Sequence, residues 1–109
     1  QVLNTLRKLG LEDNTFVIYM ADHGYCLGEH GRFEKHCGYD QALRVPLIMR
    51  WPKHIPAGAT NDTPVALWDC FATALELAGV TNAPAADSVS FAPALLGRAA
   101  KPARRASAG

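Results

Sequence analysis

Asp22-His23-Gly24 sets a carboxylate beside an imidazole. These are oxygen and nitrogen donors of the kind a divalent cation takes. Gly24 is read as the residue that lets the backbone turn sharply away from the pair. Two protein ligands do not hold a metal by themselves, so further donors must come from outside the segment. The plainer alternative is a capping aspartate and a surface histidine at a strand end, and the tripeptide alone does not separate the two. Lys35 follows thirteen residues after Asp22 in a glycine-rich polar stretch. A flexible ammonium there suits a sulfate or phosphate oxygen as a point charge, and a solvated loop lysine is the alternative. His23, Cys26, His30, His36 and Cys37 are five potential zinc ligands within fifteen positions. Their spacing matches neither paired CxxC motifs nor CxxC followed by HxxxH, which argues against a local structural zinc site.

Such residues need a platform. Thr15-Phe16-Val17-Ile18-Tyr19-Met20 is an unbroken apolar, β-branched and aromatic run. With no polar alternation it predicts a strand buried on both faces, the pattern of parallel sheets. Asp22 and His23 fall just past its carboxyl end, where open α/β sheets bind ligands. Before it, Val2, Leu3, Leu6 and Leu9 recur at helical spacing, and Gly10 fits the left-handed position that closes a helix, with Leu11 folding back. Residues 21–43 hold Gly24, Gly28, Gly31 and Gly38 among charged side chains and predict a long loop. Pro46-Leu47-Ile48-Met49-Arg50-Trp51 reads as a second strand with its proline at the start. Asp69 is the expected N-cap of a helix presenting Phe71, Ala74, Leu75 and Ala78 on one face, with Gly79 closing it. Beyond Thr81 only Phe91 to Leu96 is expected to pack. Helix, strand, polar loop, strand, helix is an α/β order.

The remaining composition removes function classes. The chain has 109 residues, 49% hydrophobic and 19% charged, an ordinary globular balance for one small domain. Eleven Lys and Arg against ten Asp and Glu give +1, so there is no field to hold nucleic acid or an anionic membrane. The basic patch of Arg98, Lys101, Arg104 and Arg105 lacks interleaved aromatics and reads as a solvated terminal segment. No apolar stretch approaches the ~20 residues of a spanning helix. Three irregularly spaced cysteines do not form a disulfide framework, and Cys70 reads as an inert buried thiol. Asn61-Asp62-Thr63 matches a glycosylation acceptor, a pattern common by chance. The chain opens on Gln1 inside a helical pattern and ends in a basic Ala-rich run, so the expectation is a piece of something longer. The lack of a signal peptide therefore carries no information on compartment.

Several stretches together resemble a known family. Leu9-Gly10-Leu11-Glu12-Asp13-Asn14-Thr15, Asp22-His23-Gly24, Leu27-Gly28-Glu29-His30-Gly31, Lys35 and Ala42-Leu43-Arg44-Val45-Pro46-Leu47-Ile48 follow one another in this order. With Leu67-Trp68-Asp69, Leu75-Glu76-Leu77-Ala78-Gly79-Val80 and Phe91-Ala92-Pro93-Ala94-Leu95-Leu96-Gly97, they resemble the C-terminal part of the catalytic domain of type I, formylglycine-dependent sulfatases of the alkaline-phosphatase superfamily. The match spans residues 1–98 and leaves 99–109 as a basic Ala-rich tail, read as disordered. It implies an alkaline-phosphatase-like sandwich, a mixed and largely parallel sheet with flanking helices.

The resemblance also implies the chemistry. A divalent cation, usually calcium, is held by two acidic residues near the family's N-terminus and by an Asp followed by Asn or His near its C-terminus. Asp22 and His23 fall on the second pair. Lys35 falls on the lysine that touches the substrate's sulfate oxygens, and so takes the catalytic and substrate-binding role. The nucleophile is a formylglycine made from Cys or Ser in a Cys/Ser-x-Pro/Ala-x-Arg motif. Cys26, Cys37 and Cys70 lack that context, so none of them is the modified nucleophile, and the formylglycine is expected in a missing N-terminal part. The expectation is a sulfuric ester hydrolase segment supplying half of a metal and sulfate site, inactive alone. The resemblance implies a small sulfate ester as the substrate of the full-length protein. His at the second metal position also occurs in related phosphonate and phosphate-ester hydrolases, for which the cation would be Mn2+ or Zn2+. A non-catalytic sulfatase-like module is the alternative from another class. A segment cut from a larger sheet would expose apolar edges and self-associate.

Overall fold

The computed structural model describes residues 1–82 and 87–98, so the tail at 99–109 and most of the basic patch lie outside the described residues. The chain divides into two compact units, Gln1–Trp51 and Pro52–Gly109. The sequence predicts residues 1–98 as one segment.

The first unit opens with α1, Val2–Lys8. Its closure is as expected. Gly10 has φ 68°, its N–H donates to Arg7 O at 3.1 Å, and Leu11 N–H reaches Leu6 O at 2.9 Å. Only glycine adopts that left-handed turn without steric cost. A 3₁₀ turn, Glu12–Asn14, leads into β1, Val17–Met20, and β2 follows at Leu47–Arg50. Pro46 stands just before β2, where its missing N–H is harmless.

The two strands pair antiparallel, with Val17 opposite Arg50, Ile18 opposite Met49, Tyr19 opposite Ile48 and Met20 opposite Leu47. Parallel pairing, which the unbroken apolar run suggested, does not occur between them. A parallel partner would need the connection to cross back to the starting end of β1, whereas residues 21–46 return the chain at its carboxyl end, with Met20 opposite Leu47. Burial on both faces is also not met. Tyr19 and Ile48, directly opposite one another, are 64% and 60% exposed because the described residues place nothing over that face. β2 stops at Arg50, and Trp51 serves as a bracket instead. Its Nε1–H donates to Asp13 O at 3.0 Å, and its ring lies 6.1 Å from that of Phe16. Glu12 adds an ionic clasp, accepting from both Arg7 and Arg50.

The second unit is built on α3, Asp69–Leu77, and α4, Ala92–Leu95. Its buried set is Asp69, Cys70, Ala72, Thr73, Phe91 and Ala92. This corrects two expectations. The buried face of α3 is Asp69, Cys70, Ala72 and Thr73, while Phe71 is 54% exposed. Asp69 is not the N-cap either. It is the first helical residue, and its carboxylate accepts Ala66 N–H at 2.8 Å and Val89 N–H at 3.0 Å. A buried carboxylate is held by the donors that need it most. Here those are in the incoming turn and in the strap before α4, rather than in the helix's own first turn. Thr73 relays the contact, donating to Asp69 O at 2.7 Å and accepting Phe91 N–H at 3.0 Å. Gly79, at φ 74°, ends α3 as predicted. Asn61 forms a turn by accepting Thr63 N–H at 2.8 Å and donating to Ala94 O at 3.4 Å.

Candidate cation and anion site

The loop at 21–43 is less irregular than its composition suggests. A 3₁₀ turn at Glu29–Gly31 and a short helix, α2, Asp40–Leu43, punctuate it. Backbone bonds fold it back on itself: Gly24 N–H to Ala42 O at 2.8 Å, Cys26 N–H to Glu34 O at 2.9 Å and Gly28 N–H to Arg32 O at 2.9 Å. Tyr25 Oη–H ties to Phe33 O at 3.0 Å, and the His30 ring stacks on Tyr39 with centroids 3.8 Å apart. Glu29 accepts Leu27 N–H at 2.6 Å, and its own backbone N–H together with that of Leu27 holds the carboxyl below the usual carboxylate range. These braces had no spacing signature in the sequence.

Gly24 is needed for a reason other than the one anticipated. Its φ is not in the left-handed region. A Cβ there would stand 1.9 Å from Gln41 O, inside the backbone of α2. The glycine allows two backbone segments to touch, and that contact anchors the residues on either side of it.

Asp22 and His23 stand directly beyond β1, as expected from the strand's polarity. Lys35 comes back to them. Its Nζ lies 2.9 Å from His23 Nε2, and Asp22 Oδ2 lies 3.6 Å from the same nitrogen. The three predicted residues thus converge on one imidazole edge. His23 Nδ1 is 2.7 Å from Gly24 O. A carbonyl oxygen only accepts, so Nδ1 carries the hydrogen; an ammonium only donates, so Nε2 presents its lone pair to Lys35. His23 N–H also donates to Asp22 Oδ1 at 3.0 Å, which fixes the carboxylate against the ring. The cluster faces solvent, with the Asp22 side chain 88% and the His23 side chain 40% exposed.

This donor set fits a divalent cation. An imidazole whose Nδ1–H is spent on a backbone carbonyl keeps its lone pair on Nε2, the arrangement that orients a metal-binding histidine, and a cation there would take the place of the Lys35 ammonium. Donors to one cation at about 2.0–2.4 Å stand about 3–4 Å apart, and Asp22 Oδ2 and His23 Nε2 lie in that range. Among the described residues no group of three His, Cys, Asp or Glu side chains is placed to hold a metal ion. Of the five residues weighed for zinc, Cys26 and Cys37 approach each other, with Sγ atoms 3.5 Å apart, and no histidine joins them.

Comparison with known proteins shows which family the chain resembles. The sulfatase family model matches residues 1–80. N-acetylglucosamine-6-O-sulfatase of Bacteroides thetaiotaomicron is 41% identical over 95 residues, covering 87% of this chain and 17% of that protein. Human N-acetylgalactosamine-6-sulfatase is 33% identical over 107 residues, 88% of this chain and 20% of its own length. Among solved structures, BT4656 in complex with its substrate D-glucosamine-2-N,6-O-disulfate superposes with a TM-score of 0.82 at 40% identity, covering 89% of this chain and 20% of that one. The phosphonate monoester hydrolase SpPMH of Silicibacter pomeroyi gives 0.80 at 34% identity, over 91% and 19%. The chain spans about a fifth of the length of the relatives it matches. This small α/β segment therefore shares its fold with the corresponding part of these two solved structures. By its sequence match and its fold, the chain belongs to the sulfatase family.

Proposed function

We propose that this chain is the segment of a sulfatase-type ester hydrolase that supplies Asp22 and His23 to a divalent cation and Lys35 to the substrate's anionic group. The observation that carries the reading is the convergence of Lys35 Nζ and Asp22 Oδ2 on His23 Nε2, across a loop of a dozen residues. Nothing structural requires it, because all three side chains are exposed to some degree and none of them supports a buried core.

Each residue has a distinct task. Asp22 contributes negative charge, and its Oδ1 is already ordered by the His23 N–H. Gly24 O holds the imidazole tautomer that keeps the lone pair on Nε2. A bound divalent cation supplies Lewis acidity toward a sulfuryl or phosphoryl oxygen. Nε2 has a single lone pair, so the Lys35 ammonium and a cation exclude one another at that atom. Lys35 on its flexible stem is then available to an ester oxygen, where a fixed positive charge stabilises negative charge that develops as the ester bond breaks. The nucleophile and the other cation ligands belong to the remainder of the protein. Calcium is the expected cation for sulfate ester hydrolysis. The isolated segment would show weak cation binding and no turnover, and its open Tyr19 and Ile48 face favours self-association.

A second reading is favoured by the donor at position 23. Imidazole suits Zn2+ better than the hard cation Ca2+, which prefers oxygen, and the phosphonate monoester hydrolase shares this fold closely. Under it the substrate is a phosphonate or phosphate ester and the cation Mn2+ or Zn2+. Assay of the full-length protein, metal-stripped and reloaded, on an aryl sulfate and an aryl phosphonate separates the two. The primary reading predicts calcium-supported cleavage of the sulfate in preference to the phosphonate. The reverse preference establishes the second reading, and cleavage of neither with any cation supports a non-catalytic module.

A further inference from the structure

Cys26 and Cys37 play no part in the chemistry above, yet the fold brings them together. Cys26 is fully buried, Cys37 is partly exposed, and their Sγ atoms are 3.5 Å apart as free thiols. We propose that Cys26 and Cys37 form a dithiol site that a low-molecular-weight disulfide oxidises to an intramolecular disulfide, closing a ring around the segment that carries Lys35. This goes beyond the hydrolytic reading and does not depend on it.

The two thiols have different roles because their surroundings differ. Cys37 lies outside any helix or strand and reaches solvent, so it can meet a dissolved oxidant. Cys26 cannot: its backbone is fastened to Glu34 O at 2.9 Å, and burial pushes its thiol up, with the hydrogen bond to Cys37 adding to the effect. Thiolates are the nucleophiles in exchange, so the exposed thiol reacts first and the buried one resolves. In the first step the Cys37 thiolate attacks one sulfur of the small disulfide. A mixed disulfide forms and one small thiolate leaves. In the second, the Cys26 thiolate attacks Cys37 Sγ and displaces the second small thiolate. The protons lost by the two cysteines go to the two leaving thiolates, and two electrons pass to the oxidant. Closing from 3.5 Å to the roughly 2.05 Å of a disulfide is a short movement, and Cys37 sits on the side that is free to make it.

The competing candidates are weaker. Nothing among the described residues shows what covers the exposed Tyr19 and Ile48 face, and the His30–Tyr39 stack is a brace within the loop.

The test uses the full-length protein, reduced, desalted and exposed to oxidised glutathione, then alkylated in denaturant and digested with trypsin. Cleavage after Arg32 and Lys35 separates the two cysteines. The expected result is one cross-linked pair of peptides joining Cys26 to Cys37, lost on reduction, with Cys70 recovered alkylated. In Cys26→Ala, glutathione should stay on Cys37. If wild-type Cys37 retains glutathione without cross-linking, or if both thiols are recovered alkylated, the proposal is overturned.

Discussion

Two aspartates, Asp22 and Asp69, occupy similar positions in the sequence, each beside the end of a regular element, and the structure uses them in opposite ways. Asp69 is fully buried, and each of its carboxylate oxygens accepts a backbone N–H, one from Ala66 and one from Val89. Asp22 stands in solvent with one oxygen on its neighbour's N–H and the other 3.6 Å from His23 Nε2. The first carboxylate is buried and held by the fold, out of reach of a ligand. The second is oriented but unspent. The same division separates Asp22 from Thr73, whose hydroxyl is used both as donor and as acceptor inside the second unit. Free hydrogen-bonding capacity held in a fixed direction distinguishes a candidate site from a structural polar network.

That contrast can be broken in several places. The largest effect is expected at Lys35. Lys35→Ala in the full-length protein should lower kcat by about 10²–10³-fold, the usual loss for one charge-stabilising group, with unfolding unchanged because the side chain is exposed. Steady-state kinetics on the preferred ester check this, and a loss of less than about threefold would remove Lys35 from the site. Next comes Asp69→Ala, which strands two backbone donors at about 1–3 kcal/mol each and should cost about 3 kcal/mol in urea unfolding. Asp22→Ala, by contrast, should stay within about 0.5 kcal/mol as a surface change. Similar costs at the two aspartates would erase the distinction drawn above.

Gly24→Ala should cost about 2 kcal/mol, because the new Cβ would lie 1.9 Å from Gln41 O and the Gly24–Ala42 bond must stretch to admit it. Activity should fall along with stability, since the same contact seats His23. The smallest effect concerns Glu12. The hydrogen bond from Arg7, followed by that from Arg50, holds its carboxyl below the ordinary glutamate value of 4.5. A depressed folded-state pKa contributes stability that is complete above the unfolded value and is lost as pH falls through the folded one. Tm of the wild type should therefore drop more steeply than that of Glu12→Gln on acidification below about pH 4.5, and parallel curves would show that the clasp contributes nothing.

The elements that local chemistry determines were legible in the sequence. Gly10 and Gly79 end their helices with φ 68° and 74° because the C-terminal turn needs a left-handed residue wherever the helix sits. Asp22 and His23 were placed at the strand end by the apolar run that precedes them. Partnerships across the chain were not legible. Asp69 has the local signature of an N-cap, but it is buried, and Val89, twenty residues away, offers an N–H that burial leaves without water. Gly24 resembles a turn glycine, and only the approach of α2 reveals that it serves a close contact. Cys26 and Cys37, eleven positions apart, match no motif, and it is the fold-back at Glu34 that unites them. The antiparallel register likewise follows from the loop's path, which its polar composition does not encode.

The role assigned to Asp22 and His23 is tested most directly by divalent-cation affinity, measured by isothermal titration calorimetry on the metal-stripped full-length protein. Affinity should fall at least about tenfold in Asp22→Asn and in His23→Ala, and hold or improve in Lys35→Ala, which frees Nε2 of its competing ammonium. Unaltered affinity in both Asp22→Asn and His23→Ala would contradict the assignment of this imidazole edge to a cation.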